Sequence, residues 1–120
     1  MARILVIDDD DDILFVVAAT LEELGHHVVT TAESCETAAE VLARERPDLI
    51  LLDVQMPGTD GPTTLRLLAD RDLIRGIPVA FMTANGEPEA QARYLALGAA
   101  GVLVKPFEPD GLVRLVASLT

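Results

Sequence analysis

Five short apolar runs, each of strand length, recur down the chain with helix-spaced segments between them, and this alternation restricts the fold more than any other feature. The runs are Ile4–Ile7, Leu49–Leu52, Val79–Met82 and Val102–Val104, joined by a weaker β-branched run at Val28–Thr31. Runs of this length with no polar alternation are those of strands buried on both faces. Between them lie apolar stripes at helical spacing: Ile13, Val17, Leu21 and Leu24; Ala38, Val41 and Leu42; Leu65 and Leu68; Leu95; and the Leu112–Val116 region. The punctuation agrees. Gly25 and Gly98 are expected to end the first and fourth helices, Ser34 to cap the second and Pro47 to stop it. Gly61-Pro62 suits the first turn of the third. The pattern is a (βα) unit repeated five times. It predicts an α/β fold with a parallel sheet covered on both faces, forming one domain over residues 1–120.

Composition excludes several classes. With 120 residues, half of them apolar, the chain can bury a core without covalent staples. Its single cysteine, Cys35, allows no internal disulfide, which fits a reducing, cytoplasmic setting. The N-terminus has four apolar residues before a run of aspartates, too short for a signal peptide, and no apolar stretch approaches membrane-spanning length. A net charge of −11 argues against direct nucleic-acid binding, which calls for Lys and Arg.

The chemistry is expected where the strands end. Asp8 and Asp9 follow the first run, Asp53 the third, Thr83 the fourth and Lys105 the fifth. In a parallel sheet these carboxyl ends share one edge, where open α/β sheets bind ligands. Two carboxylates about 4 Å apart repel by roughly 4 kcal/mol at an effective dielectric of ~20. One lysine cannot neutralise three of them, whereas a hard divalent cation such as Mg²⁺ (or Mn²⁺) can, taking one or two carboxylates plus phosphate oxygens. Asp53 ends what should be a central strand and precedes a turn-rich loop. It is the expected nucleophile, attacking phosphorus to give an acyl phosphate. Lys105 would pair with the phosphoryl group and Thr83 would hydrogen-bond to it.

Other polar residues have plainer readings. Asp10, Asp11 and Asp12 suit the capping and first-turn charge of a helix. His26 and His27 fall at the opposite end, on the surface. Cys35 is structural, and Asn85 and Gly86 form a loop. Phe15 points about 170° from the centre of the first helical stripe at about 100° per residue, so it is expected on the surface.

The segments Ile4-Leu-Val-Ile-Asp8-Asp9-Asp10, Pro47-Asp-Leu-Ile-Leu-Leu-Asp53-Val-Gln55-Met-Pro-Gly58, Asp60-Gly61, Pro78-Val-Ala-Phe-Met-Thr83-Ala84, Gly98-Ala and Lys105-Pro106-Phe107 stand in order over nearly the whole chain. In this the sequence resembles the receiver domain of two-component response regulators. The resemblance implies a doubly wound, flavodoxin-like five-stranded sheet of order 2-1-3-4-5. It implies Asp53 as phosphoacceptor, with Mg²⁺ held by Asp8, Asp9, Asp53 and the backbone carbonyl of Gln55. Thr83 matches the switch hydroxyl, Lys105 the phosphate-pairing lysine, and the bond before Pro106 is expected to be cis. The implied partners are a sensor histidine kinase or histidine phosphotransfer protein, whose contact on the first helix would include Phe15, and a downstream protein reading helix 4, strand 5 and helix 5. A phosphorylation-dependent dimer is compatible with the resemblance, and neither a membrane nor nucleic acid is an implied partner. The implied role is signalling, with catalysis limited to the domain's own phosphorylation and dephosphorylation. Three positions depart from the family pattern. Val102 stands where many receivers carry Tyr or Phe, so the aromatic of the usual Thr–aromatic readout is missing there. Cys35 replaces a common Gly, and Thr59 a bulky apolar residue. Gln55 and Asn85 occupy positions that tune phosphoryl lifetime.

Two other classes compete. A haloacid-dehalogenase-like phosphohydrolase would use Asp8-x-Asp10, but needs a longer chain and leaves Asp53, Thr83 and Lys105 unmatched. A pseudo-receiver would bind partners without phosphate.

Overall fold

The computed structural model describes residues 1–120. Strand β1 (Arg3–Ile7) leads to helix α1 (Asp11–Glu23), β2 (Val28–Ala32) to α2 (Cys35–Arg44), and β3 (Leu49–Asp53) to α3 (Gly61–Asp70). Strand β4 (Val79–Thr83) then leads to α4 (Pro88–Ala96), and β5 (Gly101–Val104) to α5 (Pro109–Leu119). All strand pairs are parallel, in the order β2-β1-β3-β4-β5. The parallel sheet covered on both faces is the one expected from the alternation of periods, and its doubly wound, flavodoxin-like order is the one the family resemblance implies.

The apolar runs are continuous because each strand faces a core on both sides. Alternate residues divide between two clusters, as a period of two requires. Leu5, Ile7, Ile50, Leu52, Val79 and Phe81 join α2, α3 and α4 on one face. Ile4, Val6, Leu49, Leu51, Ala80 and Met82 join α1 and α5 on the other. Every residue of β3 and β4 is buried. The weaker run at β2 is an edge strand, which explains its two threonines and its partial exposure. No helix is long and apolar enough to cross a membrane.

Helix ends follow local chemistry. Asp10 caps α1, its carboxylate accepting from the Asp12 and Ile13 amides. Ser34 caps α2 through the Thr37 amide, and Asp60 caps α3 through the Thr63 amide. Gly98, at φ +103°, follows the C-cap of α4 in the left-handed region that glycine enters without steric cost.

Three details differ from the sequence expectations. In α1 the buried face is Leu14, Val17 and Leu21, with Ile13 half-buried. Leu24 is the C-cap and 56% exposed. Gly25 follows that cap as expected, and the left-handed residue of the turn is His26, φ 56°. In α4 Leu95 is exposed, and Ala90 and Tyr94 face the core. Tyr94 packs its ring on Phe81, centroids 5.3 Å apart at 57°, a tilted geometry favoured by aromatic quadrupoles.

Candidate functional site

The parallel strands bring their final residues to one edge. Asp8 follows β1, Asp53 ends β3, Thr83 ends β4 and Lys105 follows β5. β1 and β3 are adjacent, while their following helices α1 and α3 pack on opposite faces of the sheet, as the two core clusters record. A crevice therefore opens at this edge. It forms a cavity of about 210 Å³ lined by Asp8, Asp9, Asp10, Asp53, Gln55, Thr83, Ala84 and Lys105.

Charge within it is buried and paired. Asp8 is 1% exposed and Asp53 5%. The Lys105 ammonium donates to Asp8 Oδ2 at 2.9 Å and to Asp53 Oδ1 at 3.0 Å, joining residues from three strands. Its backbone is anchored as well, the Lys105 amide donating to the Thr83 carbonyl at 2.7 Å. Asp8 Oδ1 also accepts from the Asp10 amide at 3.0 Å. Thr83 Oγ1 accepts from the Asn85 amide at 3.0 Å, which leaves its own hydrogen available to a ligand.

The electrostatics are unbalanced. Burial raises the Asp53 pKa, and repulsion from Asp8 and Asp9 adds to it, outweighing the hydrogen bond and charge of Lys105. Burial also pulls against the charge on Lys105, but the hydrogen bonds and charges of Asp8 and Asp53 together exceed it and raise the lysine's pKa. Carboxylate oxygens of Asp8, Asp9 and Asp53 lie within 4.8 Å of one another. Three carboxylates facing one ammonium, all with oxygen donors, fit a hard divalent cation and would be poorly suited to a soft one.

The family model for the response regulator receiver domain matches residues 4–117. The chain belongs to that family. It is 39% identical over 117 residues to the phosphate regulon transcriptional regulatory protein PhoB of Klebsiella pneumoniae, covering 98% of this chain and 51% of that protein. It is 41% identical over 119 residues to the response regulator PleD of Caulobacter vibrioides, covering 99% of this chain and 26% of that one. Among solved structures, the chemotaxis protein CheY4 of Vibrio cholerae superposes with a TM-score of 0.90 at 31% identity, covering 100% of this chain and 99% of that one. The receiver thus spans about half the length of the PhoB relative and most of CheY4.

Some expected site residues of the receiver lie outside the cavity. Phe15 is 74% exposed on the outer face of α1. Beside that helix an apolar groove of about 220 Å³, lined by Ile13, Val16, Pro106 and Phe107 among others, reaches Lys105. Val102 is half-buried on β5, paired in register with Phe81. Gln55 is exposed at the cavity lining, and the Lys105–Pro106 peptide is cis. Two lining residues were not singled out from the sequence. Asp10, assigned to capping, both caps α1 and borders the cavity, and Ala84 lines it beside Thr83. Neither carried a signal beyond being next to a strand end.

Proposed function

We propose that residues 1–120 act as a phospho-accepting switch, taking a phosphoryl group from a phosphohistidine donor onto Asp53. The reading rests on one observation above all: Lys105 bridges two buried carboxylates from different strands at the ligand-binding edge of the sheet. A purely structural ion pair needs only one carboxylate per lysine. The second, whose burial disfavours its own charge, is the group a phosphoryl would occupy.

Asp8, Asp9 and Asp53, with the Gln55 carbonyl, are the residues to hold a Mg²⁺ (or Mn²⁺) ion. Once bound, that ion supplies positive charge against the phosphoryl oxygens and orients the donor. An Asp53 carboxylate oxygen attacks phosphorus. A P–O bond forms as the donor's P–N bond breaks, and the electron pair leaves with the imidazole nitrogen. Lys105 moves from a carboxylate to a phosphoryl oxygen, a charge-assisted hydrogen bond. Thr83 donates its free hydroxyl hydrogen to a second oxygen. Because Thr83 Oγ1 also holds the Asn85 amide, that movement draws in the loop before α4, whose first residues are tied to Asn85 through the Glu87 amide. The phosphorylated state then stabilises one arrangement of α4, β5 and α5 by its differential contacts. The donor is a sensor histidine kinase or phosphotransfer protein docking on α1, with Phe15 in the contact, and a downstream protein reads α4, β5 and α5.

Intact mass after incubation with Mg²⁺ and acetyl phosphate tests this. Wild type should gain the mass of one phosphoryl group and Asp53→Ala none. Unmodified wild type that also ignores Mg²⁺ with beryllofluoride would replace the reading with a phosphate-independent pseudo-receiver. Phe15→Ala should slow transfer from a protein donor while leaving the acetyl phosphate reaction unchanged.

A further inference from the structure

The first turn of α3 stands directly behind the proposed phosphoacceptor. After Asp53 the chain loops out through Pro57 and Gly58 and returns at Gly61, whose amide donates to the Val54 carbonyl at 2.8 Å. The Val54 amide donates to the Met82 carbonyl at 2.9 Å. The peptide units on both sides of Val54 are thus held, one by β4 and the other by α3. The first carries the Asp53 carbonyl and the second leads into Gln55.

Gly61 is buried, and its φ lies outside the left-handed region, so conformational freedom does not explain a glycine there. Space does. A Cβ at this position would press on the Asp53 carbonyl oxygen and lie 2.8 Å from Val54 Cα and 3.1 Å from the Asp53 carbonyl carbon. These are backbone atoms of the central sheet and have no rotamer by which to move aside. The turn itself is firmly made. Asp60 accepts from the Thr63 amide at 2.8 Å and the Thr64 amide donates to the Asp60 carbonyl at 2.8 Å, with the buried Thr64 hydroxyl at a longer 3.5 Å from the Thr59 carbonyl.

We propose that Gly61 is a positioning residue for phosphoryl acceptance: its lack of a side chain lets the first turn of α3 seat on the Asp53–Val54 backbone and so sets the Asp53 carboxylate and the Gln55 carbonyl at the cavity. The inference rests on the function proposed above. It predicts that a methyl group at this point shifts Asp53 rather than merely loosening the fold. A shift of about 1 Å at reacting groups costs on the order of 100-fold in rate.

The test compares Gly61→Ala with Gly76→Ala, whose φ of +75° strains alanine at the far end of β4. Thermal midpoint, Mg²⁺ affinity by calorimetry and the rate of acetyl phosphate uptake are read on both and on wild type. Gly61→Ala should bind Mg²⁺ more weakly and react about 10- to 100-fold more slowly. Gly76→Ala should lower the midpoint yet keep wild-type affinity and rate. Wild-type affinity and rate in Gly61→Ala, or equal slowing in both variants, would overturn the proposal. Should Gly61→Ala fail to fold, Asp60→Ala decides. It removes the cap that fixes the same turn without adding volume, and slowing by about threefold is expected, whereas an unchanged rate and affinity would refute the positioning role. Wild type that accepts no phosphoryl group would overturn the function proposed above, and this inference with it. Wild type that reacts, with a Gly61 variant that matches it, would overturn this inference alone.

Discussion

The two edges of the sheet are built from the same strands and differ in where they place their charge. At the amino edge, side chains satisfy the backbone. His27 Nδ1 accepts from the Ala2 amide at 3.0 Å, Asp48 accepts from the Arg3 amide at 2.8 Å, and the Arg46 guanidinium donates to the Arg75 carbonyl. Each bond closes an unpaired group at the start of a strand or in a turn, and each leaves the protein better satisfied. At the carboxyl edge Asp8 and Thr83 also hold amides, but there charged side chains meet one another out of solvent, whereas the Asp72–Arg75 pair at the amino edge is exposed. Asp8 and Asp53, both buried, are brought together with the half-buried Lys105 from three strands, with more negative than positive charge. Buried charge of this kind is poor value for stability. Its presence at one edge only, where the topology opens a crevice, separates the part of the molecule that holds the fold from the part to which we assign the chemistry.

The largest expected effect breaks the carboxyl edge. Lys105→Met keeps the aliphatic stem and removes the only ammonium facing Asp8 and Asp53. Phosphoryl uptake from acetyl phosphate should fall by about 100-fold, the usual consequence of losing one electrostatic stabiliser of a transition state. The metal-free fold should lose about 3 kcal/mol at neutral pH, because an uncompensated carboxylate is left buried. Denaturant titration and single-turnover kinetics measure the two effects. No variant of Asp48 or Arg46 should change the rate.

A second prediction has the opposite sign for stability. Burial and the neighbouring carboxylates raise the Asp53 pKa, so the folded state holds that proton more tightly than the unfolded chain does. Its contribution to stability is greatest below the unfolded pKa and is lost as pH rises through the folded one. At neutral pH the ionised carboxylate therefore destabilises the metal-free fold. Asp53→Asn should stabilise it by about 0.5–2 kcal/mol while abolishing phosphorylation, the trade expected at a functional site. The gain should shrink when Mg²⁺ is present, because the wild-type protein then has the cation that its carboxylates lack. Equal or lower stability of the Asn variant without metal would mean that Lys105 alone balances the site.

Much of this division could be read from the chain itself. A buried strand announces itself as an unbroken apolar run, and the residue that ends the run must lie at the sheet edge. Asp8, Asp53, Thr83 and Lys105 were therefore legible as one group without any knowledge of their distances. What was not legible depends on which surfaces meet. α4 has nine residues, too few turns for a period to distinguish Leu95 from Tyr94, and only the Phe81 ring across from it decides. Gly61 looked like an ordinary helix start, because its constraint comes from the Asp53 carbonyl and not from neighbouring residues. The sequence places His26 and His27 together on the surface. That describes His26, which is exposed, but not the half-buried His27, whose ring nitrogen holds the start of β1 across the sheet.

That histidine gives the smallest of the expected effects and the clearest test of the amino edge as a purely structural one. Nδ1 accepts from the Ala2 amide, so the neutral ring carries its hydrogen on Nε2. Protonation puts a hydrogen on Nδ1 and breaks the bond. Burial, the N-terminal ammonium and His26 all push its pKa below the ordinary value of 6.5. The folded state therefore binds fewer protons than the unfolded chain, and the sign is the reverse of that for Asp53. His27 contributes its full stability above pH 6.5 and loses it as pH falls below that value. Replacement by Gln should cost about 1 kcal/mol or less at pH 7.5, and the gap between the two proteins should narrow as the solution is acidified. Chemical denaturation at several pH values measures this. Phosphoryl uptake at pH 7.5 should be the same in both. A slower rate in the Gln variant would mean that the start of β1 communicates with Asp8 at its end, and the two edges would no longer be independent.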